Sequence, residues 1–386
     1  MKSQESLTAF RGDFPTANLN ARRIAAALEV PGCHRRTVLE ASVVNLEKLG
    51  VLATGDAVDR QSPYAIARGN QFETQVTDNG MASVLSLARK HLGLEIPEAR
   101  EKDLSAASVR LEFPGIRRER VNNHRARLTR RYVKQMLTRP ELGINLLRHG
   151  MTELNFGGEL AYLEQDVLAF TVRGRIHVVE IKSYPMIDGR ADPSKASATG
   201  RQAAVYVLSL QELAESLGAA PDVVDTKVMI VLPENLSFRP TAAVIDTQLQ
   251  VRRLRRQLAD VPRAAAIVDA LPLGTALPPM PDISNAREAA AAQTSVREAL
   301  AQLPPRFGDG CIRCPLFRFC RDEAEHQQTV ARLGNVVAGD CGNITTVRAA
   351  LDFAAGGRQP TNAGETAAAE LLARAKTAIA LTGRSS

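Results

Sequence analysis

Residues 161 to 206 read AYLEQDVLAFTVRGRIHVVEIKSYPMIDGRADPSKASATGRQAAVY, and the order of apolar and charged residues here decides the fold. Two apolar runs, Val167 to Val172 and Ile176 to Ile181, flank Arg173-Gly174-Arg175. Such runs on either side of a glycine turn predict two strands joined as a β-hairpin. With the turn centred on Gly174, Asp166 faces Lys182 and Glu180 faces Leu168. Opposed residues share a face of the sheet, as do residues i and i+2, so Asp166, Glu180 and Lys182 converge at the open end of the hairpin. Burying two carboxylates and an ammonium for stability alone is costly. Capture of a divalent cation explains them better, because carboxylate oxygens suit Mg²⁺ and Mn²⁺. A neighbouring Lys can hold or polarise a water for attack on a phosphodiester.

Working outward, Gly200 to Leu217 predicts a helix with Ala203, Val207, Leu210 and Leu213 as its apolar stripe. Gln202 and Tyr206 lie four apart on one face of it. Thr226 to Leu232 reads as a buried strand and Ala242 to Asp246 as another, which makes the chain α/β. On the N-terminal side, 159–163 predicts a strand, 141–150 a short amphipathic helix and 108–113 a strand. Helical periodicity also marks 18–29, 36–49, the segment after Tyr64, and 81–92. Downstream, helices are expected at 248–258 and 284–303, and the tail after Arg321 reads as helical and Ala-rich.

The chain has 386 residues, 45% of them hydrophobic, enough for two to three structural units. The N-terminus has no apolar leader and no stretch approaches a membrane span, so the expectation is a soluble, cytoplasmic protein with no membrane partner. A net charge of +7, with 40 Arg against 9 Lys, favours contact with phosphates. Aromatics are only 4% and Trp is absent, so stacking platforms for bases are few. The basic residues are densest between 117 and 134. Arg120, Arg127, Arg131 and Lys134 fall at helical spacings, predicting one phosphate-contacting face with few acids to pair with. A second basic patch, Arg252, Arg253, Arg255 and Arg256, lies on the 248–258 helix. No internal repeat, P-loop, GxGxxG or zinc-protease motif is present.

Cys311, Cys314 and Cys320 form a C-x₂-C-x₅-C cluster. Three thiols this close point to metal ligation, as a zinc site or an iron-sulfur cluster, each completed by a fourth ligand. Cys33, on a loop between two short helices, and Cys341 are the candidates. A shorter loop favours Cys341, but geometry leaves the choice open.

Taken together, Asp166, the Glu180-Ile181-Lys182 triplet, Gln202 with Tyr206, and the cysteine cluster resemble the PD-(D/E)XK nuclease superfamily. The resemblance is to its RecB-like iron-sulfur branch, which includes CRISPR-associated iron-sulfur exonucleases and AddB-type nuclease domains, and it spans about Cys33 to Cys320. It implies a restriction-endonuclease-like core, a mixed central sheet flanked by helices, with helical N- and C-terminal segments joined by a 4Fe–4S cluster on Cys33, Cys311, Cys314 and Cys320. Cys341 is then left over. The implied organisation is a helical segment at 1–60, a nuclease core at 61–246 with a basic helical insertion at 114–139, a helical connector at 247–304 and the cysteine cluster with its tail at 305–386.

The resemblance further implies Mg²⁺ or Mn²⁺ held by Asp166, Glu180, the Ile181 carbonyl and Glu73, with Lys182, Gln202 and Tyr206 completing the catalytic set. Where many members carry a metal-binding His after Arg68-Gly69, this chain has Glu73; His91 and His124 are the alternative donors. The implied activity is hydrolysis of DNA, as an exonuclease on single-stranded or end-bearing substrate, in repair or antiviral defence. A helicase or other repair or defence protein is the expected partner. The rival reading is a non-catalytic DNA-binding scaffold stapled by iron-sulfur or zinc.

Overall fold

The computed structural model describes residues 2–55, 63–94, 99–139, 144–172, 174–282, 285–327 and 329–381. Arg173, Pro140 and Ser284 lie outside them, as do parts of the expected segments at 141–143 and 61–62. The chain is mixed α/β and divides into two compact units. One comprises Met1–Ala17, Glu29–Val58 and Val261–Ser386, the other Asn18–Leu28 and Asp59–Asp260.

All the strands among the described residues belong to the second unit. They are β1 (Glu101–Asp103), β2 (Leu146–Arg148), β3 (Met151–Phe156), β4 (Glu159–Glu164), β5 (Val167–Val172), β6 (Arg175–Ile181), β7 (Met186–Ile187), β8 (Arg190–Ala191), β9 (Lys227–Pro233) and β10 (Pro240–Asp246). Six of them form a mixed sheet in the order β1-β2-β5-β6-β9-β10, with β6 parallel to β9 and antiparallel to β5. β6 is therefore a central strand, and every residue from Ile176 to Ile181 is buried. That suits its Ile- and Val-rich run, because a strand covered on both faces needs no polar alternation.

Helix Pro63–Leu92 covers one face of this sheet. Its Phe72, Val76, Val84 and Ala88 pack with Val167, Val179, Ile181, Met229 and Val231. Each fully buried side chain of this size contributes about 1.5–3 kcal/mol. Gly69 eases the passage of the helix beside the chain just after β6, since a Cβ there would sit 3.3 Å from the Ser183 hydroxyl, a contact the serine could relieve only by shifting a few tenths of an ångström. Helix Pro193–Ser216 lies against β6 and β3 and contributes Ala203, Val207 and Leu210 to the core. Asp192 caps it by accepting from the Lys195 amide, and Pro193 occupies its first turn, where a missing N–H costs nothing.

The hairpin differs from simple counting about Gly174. Val172 pairs with Arg175, leaving a two-residue loop in which Gly174 takes φ +79°, a conformation suited to glycine. That one-place offset alone would turn Asp166 away from Glu180 and Lys182. A β-bulge between Leu168 and Phe170 adds a second offset, so that Val167 stands opposite Val179. Two single shifts restore the parity, and Asp166 returns to the face of Glu180 and Lys182.

Four sequence expectations need correction. Residues 106–112 form a helix, not a strand, because the Ser105 hydroxyl accepts from the Ser108 amide and caps its first turn. Residues 146–148 form β2, where tertiary pairing with β1 and β5 overrides the helical pattern. The helix expected over 36–49 is two, His34–Ala41 and Leu46–Thr54, broken where Val43 takes φ +50° and Asn45 caps the second. The segments expected as separate helices on either side of Gly80 belong to the single helix Pro63–Leu92.

The first unit is helical among its described residues. Leu7, Phe10, Val38, Leu49, Leu300 and Phe319 share its core. Its C-terminal helices, Asn335–Cys341, Val347–Ala355 and Ala363–Leu381, gather around a smaller apolar cluster that includes Val330, Cys341, Ile344 and Phe353.

Candidate active site and cysteine centre

The second unit brings Asp166, Glu180, Lys182, Gln202 and Tyr206 together. Asp166 occupies the bend just before β5, half-buried, and one carboxylate oxygen lies 3.4 Å from the Ile181 amide. Glu180 is fully buried on β6. Its Oε1 accepts from Lys182 Nζ at 2.5 Å and from Gln202 Nε2 at 3.2 Å. Lys182 Nζ also stands 4.0 Å from Asp166. Gln202 Nε2 donates to the Tyr206 hydroxyl at 3.0 Å, as expected of residues one helical turn apart.

The second oxygen of Glu180, Oε2, is buried with no hydrogen-bond partner among the described residues. A carboxylate oxygen left so is expensive unless something else compensates it. Burial pushes the Asp166 carboxyl well above the usual range, and the charges of Glu180 and Glu73 push it further. Burial lowers the Lys182 pKa, but Glu180 and Asp166 outweigh it, so the net shift is upward and the side chain is held as an ammonium. Desolvation also raises the Tyr206 phenol well above its ordinary value, which keeps it a neutral hydrogen-bonding group.

Glu73 reaches the same end of the sheet from helix Pro63–Leu92, and its charge is felt by both Asp166 and Lys182. The residue next to it is one the sequence reading did not single out. His149, between β2 and β3, points Nε2 at Glu73 Oε1, 3.7 Å away, and Nδ1 at Asp103 Oδ1, 2.7 Å away. These bonds raise its pKa to about 9, first through Asp103 and then through Glu73. Nothing local in the sequence marks His149, because its two partners are brought to it by the fold. The alternative donors lie elsewhere. His124 packs edge-on against Phe113, with ring centroids 4.6 Å apart. His91 lies near the far end of helix Pro63–Leu92 and lines a separate cavity with His177, Asp225 and Asp246.

The acids and the buried orphan oxygen fit a hard divalent cation in donor type and charge. Among the described residues no three His, Cys, Asp or Glu side chains are close enough to close on one ion as placed. The carboxylates instead turn to the cations Lys182 and His149.

On helix Val121–Thr138, Arg127, Arg131 and Lys134 are exposed, and Arg120 is exposed just ahead of it. Arg131 lies over the Tyr132 ring. Arg125 and Arg130, which looked like members of the same basic segment, serve the fold. Buried Arg125 bonds Leu104 O, His149 O and Glu164, and Arg130 bonds Ser216. In the second basic patch Arg255 is tied to Glu215 and Gln211, while Arg252 and Arg256 share with it the lining of a cavity of about 780 Å³.

In the first unit, Cys33, Cys311, Cys314 and Cys320 line one cavity. Cys33 immediately precedes helix His34–Ala41, and Arg35 and Arg36 in the first turn of that helix reach the sulfurs. Arg35 donates to Cys320 Sγ at 2.9 Å and Arg36 to Cys314 Sγ at 3.1 Å. Buried Arg35 also bonds the Leu300 and Leu303 carbonyls and Glu323. Burial drives the thiol of Cys311 up to about 11 and that of Cys320 up to about 12, with the other cysteines adding to it. Four thiols lining one cavity, with two guanidiniums to offset thiolate charge, suit a metal-thiolate centre in donor chemistry, though as placed the sulfurs do not close on one ion. Cys341 lies apart, buried in the C-terminal apolar cluster. Next to the centre, Arg313 is paired with Glu29 at 2.5 Å.

No helix among the described residues is long and apolar enough to cross a membrane. Comparison of the chain with family models, curated proteins and solved structures returns no match.

Proposed function

We propose that the chain is a metal-dependent deoxyribonuclease of PD-(D/E)XK type, with a restriction-endonuclease-like core in its second unit and a 4Fe–4S cluster in its first. The observation that carries this reading is the fully buried Glu180, whose Oε2 has no partner among the described residues while Lys182 and Gln202 bond its other oxygen. A divalent cation would compensate that oxygen at the point where the carboxylates gather.

Asp166, Glu180, Glu73 and the Ile181 carbonyl would hold Mg²⁺ or Mn²⁺. When bound, the metal supplies Lewis-acid chemistry, acidifying a water and neutralising charge on the phosphate. Lys182, bonded to Glu180, orients the attacking water or helps to deprotonate it. Gln202 fixes Glu180 and is itself tied to Tyr206. Arg120, Arg127, Arg131 and Lys134 are the phosphate-contacting face for a DNA strand. Cys33, Cys311, Cys314 and Cys320 would carry the cluster, pinning the N-terminal helices to the C-terminal cysteine segment. The residues carry no helicase motif, so either the substrate is already single-stranded or a partner in DNA repair or antiviral defence separates the strands.

The test is an assay on end-labelled linear single-stranded, linear duplex and circular DNA with Mg²⁺ and Mn²⁺. Cleavage of linear single strands with circles spared is expected. No cleavage of any substrate with either metal would refute the reading.

A further inference from the structure

The group formed by Asp103, His149 and Glu73 is built more firmly than a chance surface contact. His149 takes φ +50°, a region that costs most side chains energy and is held only when its surroundings impose it. Four anchors impose it. Its amide donates to Asp166 O, its carbonyl accepts from buried Arg125, its Nδ1 is held by Asp103 at 2.7 Å, and the Leu104 amide donates to the neighbouring Arg148 carbonyl. Asp103 is fixed in turn by the Ser105 amide and hydroxyl and by the Ser108 hydroxyl. Every one of these bonds serves to aim Nε2 towards Glu73 at the end of the sheet where Asp166 begins β5.

A carboxylate on one ring nitrogen that leaves the other directed at a metal-binding carboxylate is how proteins orient a histidine ligand. We infer that His149 is itself a ligand of the active-site metal through Nε2, with Asp103 as its positioning residue. The inference rests on the proposed metal-dependent activity. Three further features point to the same spot. Glu73 stands 3.7 Å from Nε2, within reach of a shared ion. Glu73 acts electrostatically on Asp166, as does Glu180, whose Oε2 is buried and lacks a partner among the described residues. The His149 amide is bonded to the backbone of Asp166, so the two residues sit beside each other at the ends of the paired strands β2 and β5. An imidazole among oxygen donors shifts preference from Mg²⁺ towards Mn²⁺, since nitrogen ligands favour the later metal.

The experiment is pulsed electron paramagnetic resonance of the full-length protein loaded with one equivalent of Mn²⁺, unlabelled and labelled with ¹⁵N-histidine. A directly bound imidazole gives ¹⁴N modulation that changes to the ¹⁵N pattern on labelling, and neither measurement needs a variant. His149→Asn, chosen because Asn tolerates positive φ, should abolish the modulation and narrow the preference for Mn²⁺ over Mg²⁺. Asp103→Asn should keep the modulation while weakening Mn²⁺ binding about 10- to 100-fold. Mn²⁺ bound without any nitrogen modulation, and lost in Asp166→Asn, would overturn His149 as a ligand and leave the nuclease reading standing. Mn²⁺ that fails to bind, or binds equally well in Asp166→Asn, would overturn both.

Discussion

Without metal, His149 should make folding stability depend on pH in a defined window. Its pKa rises from the ordinary 6.5 to about 9 in the folded protein, through Asp103 and then Glu73. A group with a raised folded pKa stabilises fully below its unfolded value and loses that contribution as pH rises through the folded value. The window is therefore about pH 6.5 to 9. At about 1.4 kcal/mol per pH unit the shift corresponds to about 3 kcal/mol. Because the His149 side chain is 20% exposed and Glu73 38% exposed, solvent screening reduces this to about 2 kcal/mol. Urea denaturation in EDTA, of wild type and His149→Asn at pH 6 and pH 9.5, measures it. Wild type should exceed the variant by about 2 kcal/mol more at pH 6 than at pH 9.5. A difference between the two proteins that does not change with pH would refute the ion-pair reasoning.

Other perturbations read out different parts of the molecule. Arg35→Ala leaves Glu323 and the Leu300 and Leu303 carbonyls without their buried partner, and should cost about 3–5 kcal/mol by denaturant titration, far beyond a surface change. Cys33→Ser should remove iron, sulfide and visible absorbance from anaerobically purified protein, whereas Cys341→Ser, in the separate apolar cluster, should leave them intact. Arg127→Ala with Arg131→Ala should weaken binding of single-stranded DNA and flatten the dependence of log Kd on log salt by about 0.7 per lost phosphate contact.

The hairpin was legible because apolar runs around Gly174 admit few other structures, and the convergence of its charged residues survived a register the sequence did not show. That survival depended on the bulge between Leu168 and Phe170, which has no local signal. The Gln202 and Tyr206 pair was equally legible, since helical spacing alone puts both on one face. Segments decided by long-range pairing were not. The run before Arg148 becomes a strand only because β1 and β5 flank it, and residues 106–112 turn on one serine cap. In the basic segment, sequence could not separate exposed Arg127 and Arg131 from Arg125, whose partners lie 21, 24 and 39 residues away. His149 was invisible for the same reason. Its importance comes from Asp103, 46 residues earlier, and from Glu73 on a different element.

The central claim, that the acids beside Lys182 form a metal-dependent nuclease site, is tested most directly by one comparison. End-labelled single-stranded DNA is incubated with Mn²⁺ and either wild-type protein or Asp166→Asn, prepared in parallel and matched for folding by circular dichroism. Wild type should cleave, and the variant should be slower by at least about 100-fold. Equal cleavage by both proteins would contradict the account.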